Sequence, residues 1–570
     1  MTSTLYTEAG ANLKGIPWEH YPRPQMRRDS YVNLNGRWEF AVSQGAAPVY
    51  DRKILVPFCP ESPLSGIHEH FSEGSALCYR RSFSLPEGFR KDRVLLHVGA
   101  ADQVLKCYVN GKAIGTHAGG YEAMVFDITD ALLDTNVLEL RCTDNLYFHD
   151  YPYGKQSLNR GGMWYTPISG VWQSVWLESV PEHYIRALKI ENLDGGVKIS
   201  VEPAMEGRVT VSGLGEFALE NGTVTVMPES PRWWCPEDPY LYDFTVVTDQ
   251  DRVDSYFAIR TISSQVVGGI PRLLLNGKPY FFHGLLDQGY WPDGLYTPAA
   301  PACYAQDILN AKQLGFNTLR KHIKVEAQEF YYQCDKLGML VFQDMVNNGE
   351  YKYLRDTVLP TLGNQRRKDV HMHADPAIRE KFIKGMEATV GQLGNHPCIV
   401  YWTIFNEGWG QFDSEAMYDR LKALDSSRII DATSGWFRQK KSDVESIHVY
   451  HGMWHRLKKA EKPLILSEFG GYAYAVPGHL FHPGKTYGYK TCKSEKALQN
   501  DIAKLYREKI TPAIKKGLCG AIYTQISDVE EEINGLYTFD RKVCKVEEMA
   551  MWSIAANLQG ALAKVPVKAE

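Results

Sequence analysis

From about residue 264 onward, short apolar runs alternate with longer helix-like stretches, and this alternation constrains the chain more than any other feature. Eight runs have the length and composition of buried strands: Tyr280 to Leu286, Asn317 to His322, Met339 to Met345, Ile399 to Phe405, Ile429 to Thr433, Ser446 to Tyr450, Leu464 to Ser467 and Gly520 to Ile526. Helical candidates between them are Tyr304 to Leu314, Glu326 to Leu337, Pro376 to Leu393, Ser414 to Leu424 and Ser494 to Lys516. Parallel strands need crossovers long enough to hold a helix, so strands spaced this way predict βα units. Eight units in about 300 residues is the count of a (β/α)8 TIM barrel, whose functional end is where the strands finish.

At those ends the sequence turns polar. Asp287 follows the first strand, His322 the second and Asp344 the third; Asn406 and Glu407 follow the fourth and Trp436 the fifth. His448, Tyr450 and His451 lie at the sixth, Glu468 at the seventh, and Gln525 and Asp528 at the eighth. Gathering so many polar groups at one end of apolar strands costs desolvation, which a structural role explains for one or two of them but not for the set. A glutamate followed by glycine on each of two strands, Glu407 and Glu468, is the equipment for glycosidic bond cleavage. One carboxyl is protonated to assist the leaving oxygen, and the other is ionised to meet the oxocarbenium-like centre. Asn406 is placed to donate to a sugar hydroxyl, and Tyr450 to keep the nucleophile ionised.

The rest of the chain reads as β-structure. To about residue 180, strand-like runs recur at Gly36 to Phe40, Cys78 to Leu85, Val94 to Val98, Leu105 to Val109 and Val137 to Cys142, with an Asn110-Gly111 hairpin signal. Runs this close together without helical stretches predict a sandwich. Residues 181–263 carry four further runs, Val197 to Val201, Val209 to Val211, Thr223 to Val226 and Tyr242 to Val247, and predict an immunoglobulin-like β-sandwich. Between the two lies an aromatic, glycine-rich loop, Asp150 to Trp176, in which Trp164 is a candidate sugar-site lip; a packed inter-domain surface explains it equally well.

A net charge of −4 gives no reason to expect nucleic acid or an anionic membrane as partner. No signal peptide and no run long enough for a membrane span is visible, and the 11 scattered cysteines read as reduced core residues, so a cytoplasmic protein is expected. His371 and His373 lack an acidic partner cluster, the Gly-Gly pairs lack a strand–glycine–helix context, and no Gly-x-Ser-x-Gly elbow occurs. No metal and no cofactor is expected; homo-oligomerisation is left open.

Taken together, these motifs resemble glycoside hydrolase family 2, the family of β-galactosidases, β-glucuronidases and β-mannosidases. The segments from Tyr31 to Phe40 and from Ser169 to Glu178 resemble that family's jelly-roll sugar-binding domain. Phe257 to Ile262 and Leu275 to Pro279 resemble the passage from its immunoglobulin-like domain into its barrel. Asn395 to Glu407 is similar to its acid/base motif and Pro463 to Gly471 to its nucleophile motif. The resemblance implies a jelly roll over 1–180, an immunoglobulin-like sandwich over 181–263 and a catalytic TIM barrel over 264–570. It implies Glu407 as acid/base, Glu468 as nucleophile, retention of configuration, and His322 and Tyr450 in the −1 subsite. The expected activity is that of an exo-acting β-glycosidase on oligosaccharides or glycoconjugates, a β-galactoside first. A uronide, a β-galactofuranoside or an α-L-arabinofuranoside is the alternative, and a non-catalytic carbohydrate-binding protein the rival from another class. The chain departs from the family in reading Lys321-His322-Ile323-Lys324 after the second strand, and in having no lysine around Asn534, where β-glucuronidases carry a carboxylate clamp. Arg320, Lys321 and Lys324 are the cations placed to substitute.

Overall fold

The computed structural model describes residues 4–361, 368–450, 452 and 454–564. Its first part is a sandwich of two antiparallel sheets. A six-stranded sheet runs in the order Arg52–Val56, Gly36–Ser43, Ala76–Phe83, Asn136–Thr143, Val104–Val109, Lys112–Ala118, and faces a four-stranded one. Alternation dictates which face is buried: Leu138, Leu140 and Cys142 of one strand point inward while their neighbours stay nearer solvent. Asn110 and Gly111, at φ 52° and 78°, form the two-residue turn joining Val109 to Lys112, the geometry that matches strand twist. A second, smaller sandwich follows, with three strands (Ala187–Leu193, Gly196–Glu202, Thr223–Val226) packed on four (Gly215–Leu219, Gly207–Val211, Tyr242–Val247, Arg252–Phe257).

The third part is an eight-stranded parallel barrel. Its strands are β1 (Phe282–Asp287), β2 (Thr318–Lys321), β3 (Leu340–Asp344), β4 (Ile399–Asn406), β5 (Ile429–Ser434), β6 (Glu445–Val449), β7 (Leu464–Gly470) and β8 (Leu518–Thr524). All eight coincide with the runs expected from sequence. Burial on both faces explains why these strands read as continuous apolar runs and not as alternating ones. The ladder is continuous from β5 round to β6. At the β5–β6 seam the hydroxyls of Ser434 and Ser446 lie 3.2 Å apart and join the two edges through side chains.

Helices α1 (Ala302–Gln313), α2 (Gln328–Leu337), α3 (Pro376–Leu393) and α4 (Ser414–Leu424) occupy the expected crossovers. Asp375 caps α3 by accepting from the Ala377 amide at 2.8 Å, with Pro376 in the first turn, where its missing N–H costs nothing. The expected helix Ser494 to Lys516 is instead α5 (Glu495–Leu505), a π-helical stretch (Tyr506–Ile510) and a short helical turn (Thr511–Ile514). The change of pitch precedes Pro512, which has no N–H and crowds the carbonyl four residues back. The last helix, α6 (Glu548–Ala563), was not anticipated, and among the described residues no α-helix joins β5 to β6 or β6 to β7.

Two features position the mouth of the barrel. The hairpin Ile262–Val267/Ile270–Leu275 sits at its other end, where buried Arg272 donates to the carbonyls of Leu518 and Ile514. The aromatic loop of the first sandwich lies across the C-terminal strand ends. There the Tyr153 amide donates to the Asn347 carbonyl, the Thr166 amide to Glu530, and the Tyr165 hydroxyl to Glu532. This loop is therefore a packed inter-domain surface, laid over the mouth. No helix among the described residues is long and apolar enough to cross a membrane.

Candidate active site

Glu407 and Glu468 come together because β4 and β7 both deliver their carboxyls at the C-terminal strand ends. Glu407 follows the last residue of β4 and has φ 53°, and Gly408 has φ 74°. This left-handed pair reverses the chain, and the Trp409 amide closes the turn on the Asn406 carbonyl. Glu468 is the fifth residue of β7, which extends to Gly470, beyond the end expected at Ser467. One oxygen of each carboxyl, together with Nδ1 of His448, falls within 4.8 Å.

The two carboxyls have different surroundings. Glu468 is buried, its side chain 6% exposed; Oε1 accepts from Arg320 Nη1 at 3.0 Å and Oε2 from the Tyr450 hydroxyl at 2.6 Å. Burial alone would raise its pKa. His448, Arg320, His322 and Lys155 outweigh that and hold the carboxyl well below the usual carboxylate range. Glu407 is more open, at 22%, and its Oε1 lies 2.7 Å from His448 Nδ1. His448 is fully buried, with Nε2 3.0 Å from the Ser434 hydroxyl.

Arg320, in β2, organises this centre. Its Nε bonds to Asp344, Nη1 to Glu468 and the Ser467 carbonyl, and Nη2 to the Asn406 side chain at 2.9 Å. Buried among carboxylates, it stays charged and fixes Asn406 and Glu468 in one frame. Asp344 also accepts from His322 Nδ1 at 2.8 Å. His322 Nε2, 3.9 Å from Glu468, has no hydrogen-bond partner among the described residues, and burial pushes the imidazole down to about 4. Its ring is thus neutral at physiological pH, with one nitrogen unpaired among the described residues.

The other expected residues fall in different places. Tyr450 stacks on Tyr489 with ring centroids 3.6 Å apart. Trp436 lies beside His448, its indole nitrogen without a hydrogen-bond partner among the described residues. Trp164 packs edge-on against Trp409 and Tyr351, at 4.9 and 5.0 Å, next to the Glu407 turn. Asp287 is occupied by Lys321 Nζ at 2.6 Å and the Gly289 amide. Gln525 bonds to Asn534 and Asp528 to Lys545, both inside the loop that follows β8. His451 lies outside the described residues. Of the three cations placed to bind a carboxylate, none is open. Arg320 is committed as above, Lys321 to Asp287 and Glu326, and Lys324 to Glu326 and the carbonyls of Gly289 and Tyr296.

Sequence reading did not single out Arg320, Asp344 and His448 as one network, although all three stand at strand ends. Lys155 gave no signal at all, because it reaches the site from the loop of another domain. Gly154 beside it lies so close to the Ile323 carbonyl that a Cβ would approach within 2.9 Å. Glu407, His448 and Glu468 have metal-ligand spacing. However, Arg320 already supplies positive charge there, and an ion would occupy both carboxyls.

Residues 271–545 match the family model described as glycosyl hydrolases family 2, TIM barrel domain. A β-galactosidase of Thermoanaerobacter pseudethanolicus is 24% identical over 456 residues, 72% of this chain and 56% of that one. The β-glucuronidase of Homo sapiens is 26% identical over 478 residues, 70% of this chain and 69% of that one. The chain spans about half the length of the first β-galactosidases it matches, 56% and 49%. Among solved structures, a β-glucuronidase of an uncultured Clostridium has a TM-score of 0.71 at 19% identity, covering 94% of this chain and 99% of that one. A family 2 β-galacturonidase of Eisenbergiella tayi, bound to galacturonate, has a TM-score of 0.69 at 17% identity, covering 95% and 99%. The structural likenesses carry the three-part fold, and the sequence match identifies residues 271–545 as a TIM barrel domain of glycosyl hydrolases family 2.

Proposed function

We propose that this chain is a retaining exo-β-glycosidase that removes a terminal non-reducing sugar by double displacement. The observation that carries the reading is the carboxyl pair: oxygens within 4.8 Å leave no room for the water that an inverting enzyme places across a gap of roughly 6.5–9.5 Å. Glu468, ionised under Arg320 and aligned by Tyr450, attacks the anomeric carbon while Glu407 protonates the glycosidic oxygen as the bond to the aglycone breaks. Glu407 then takes a proton from water, whose oxygen displaces Glu468 from the sugar. Asn406 and His322 Nε2 are placed for the sugar hydroxyls. The loop carrying Trp164 covers the mouth and supports action at chain ends.

A neutral glycone, β-galactoside first, is favoured because Arg320, Lys321 and Lys324 are all engaged within the protein. A uronide is the second reading. It is favoured by Lys155, a half-buried cation with no hydrogen-bond or ion-pair partner among the described residues, whose charge reaches Glu468 and His322. Initial rates on p-nitrophenyl β-galactopyranoside, β-glucuronide, β-galacturonide, β-mannoside, β-galactofuranoside and α-L-arabinofuranoside, with wild type and Glu468→Gln, test both. One strong substrate abolished by the substitution supports the reading and names the glycone. Sugar binding without turnover would instead make the chain a carbohydrate-binding protein.

A further inference from the structure

The serine cluster at the β5–β6 seam fixes the hydrogen inventory of His448. Ser467 Oγ points at the Ile447 carbonyl (3.4 Å), and Ser434 Oγ donates to Ser467 Oγ (2.9 Å). Ser434 has one hydrogen; with it on Ser467, Ser434 offers His448 Nε2 at 3.0 Å a lone pair, and Nε2 carries the hydrogen. Arg320 Nη1, 3.5 Å from the same nitrogen, does not alter this, because its two hydrogens go to Glu468 and the Ser467 carbonyl. With Nε2–H fixed, Nδ1 faces Glu407 Oε1 at 2.7 Å with its lone pair or with a second proton. Two bare acceptors do not sit 2.7 Å apart in a buried site, so one proton lies between the imidazole and the carboxyl.

We propose that His448 is a positioning residue for the acid step: it shares a proton with Glu407, and that proton is the one delivered to the leaving oxygen. This rests on the glycosidase reading above. In the first step the shared proton passes through Glu407 to the glycosidic oxygen, the bond from the anomeric carbon to that oxygen breaks, and Glu468 forms the ester. In the second step the proton that Glu407 takes from water refills the pair. Ser434, Ser446 and Ser467 hold the tautomer throughout. The charged groups facing His448 are Glu407 after β4, Glu468 Oε2 of β7 at 3.6 Å, Arg320 of β2 at 3.5 Å and Asp431 of β5. The arrangement explains why a histidine is buried at the end of β6 with no contact to solvent.

The test uses His448→Gln, which keeps a polar side chain but cannot share a titrating proton, and Ser434→Ala, which releases the tautomer and keeps the ring. With the glycone that wild type cleaves, kcat/KM is measured on the 2,4-dinitrophenyl and methyl glycosides across pH. The expected result for His448→Gln is a loss at least tenfold larger on the methyl glycoside, whose oxygen needs the proton, than on the dinitrophenyl glycoside. The basic limb of the pH profile should also move to lower pH, and Ser434→Ala should show both effects more weakly. Equal losses on both glycosides with an unmoved limb would mean that His448 only packs the site, and would overturn the proposal. Where His448→Gln fails to fold, the Ser434→Ala limb decides in the same way. A wild type that cleaves no glycoside overturns the glycosidase reading, and this proposal with it; a limb that stays put in an active enzyme overturns this proposal alone.

Discussion

At the scale of single residues, the site works by holding two like carboxyls in unlike environments. Tyr450 and Arg320 each donate a charge-assisted bond to Glu468, and each such bond stabilises the anion by about 1.5–3 kcal/mol. Tyr450→Phe removes one of them. We expect kcat to fall about 10- to 100-fold, and the acidic limb of kcat/KM to move to higher pH. The sign follows from the donor: it favours the ionised form, so losing it raises the pH at which Glu468 takes up a proton. A pH–rate profile checks this, and an unmoved acidic limb would contradict it. Glu407→Ala should lower kcat/KM on a methyl glycoside by about 10²–10⁴-fold, and by less on a dinitrophenyl glycoside, which leaves without help. Parallel initial rates on the two glycosides decide it, and equal losses would remove Glu407 from the acid role.

At the scale of elements, function depends on how strands end. Gly408 is needed because its φ of 74° is left-handed and a Cβ there would lie 2.2 Å from the Phe437 ring. Gly408→Ala should cost about 2–5 kcal/mol, from backbone strain plus overpacking, and should misplace Glu407. A fall in thermal stability together with kcat checks it, and a variant of wild-type stability and rate would contradict the account. Strands were legible in the sequence where burial made them largely apolar, as in β4 and β7, although β2 carries Arg320 and Lys321 within its short run. The helix α6 was not, because its run from Glu548 to Ala563 follows the last strand and carries the exposed apolar residues Met549 and Trp552, which blur its periodicity. Glu407 and Glu468 were legible because a carboxylate breaking an apolar strand is conspicuous. Asp287, Gln525 and Asp528 stand at strand ends too, but they bond to Lys321, Asn534 and Lys545. A strand-end position says that a side chain faces the mouth region, not which partner it finds there.

At the scale of the whole molecule, the first sandwich is part of the site as well as its neighbour. Its loop brings Lys155 and Trp164 to the mouth, and no pattern within the barrel sequence signals either. The sandwiches are themselves joined through buried charge. Glu178 lies 2.5 Å from Arg23 and 3.6 Å from Arg28, and Arg28 reaches Asp251 of the second sandwich at 2.7 Å. Burial works against ionisation of Glu178, but Arg23, His97 and Arg28 hold its pKa well below the ordinary range. A carboxyl depressed in this way adds stability above its unfolded pKa of about 4.3, and that stability is lost as pH falls. Glu178→Gln should therefore destabilise the chain by about 3–5 kcal/mol at pH 7, leaving the arginines unpaired, and the deficit should shrink toward pH 3. Urea unfolding at several pH values checks this, and a deficit independent of pH would contradict it. The central claim, double displacement on Glu468 with proton transfer by Glu407, is tested most directly by the stereochemistry of the first-formed product. Proton NMR of the released sugar, recorded before it mutarotates, should show the anomer of the substrate. The opposite anomer would mean a single displacement by water and would contradict the account.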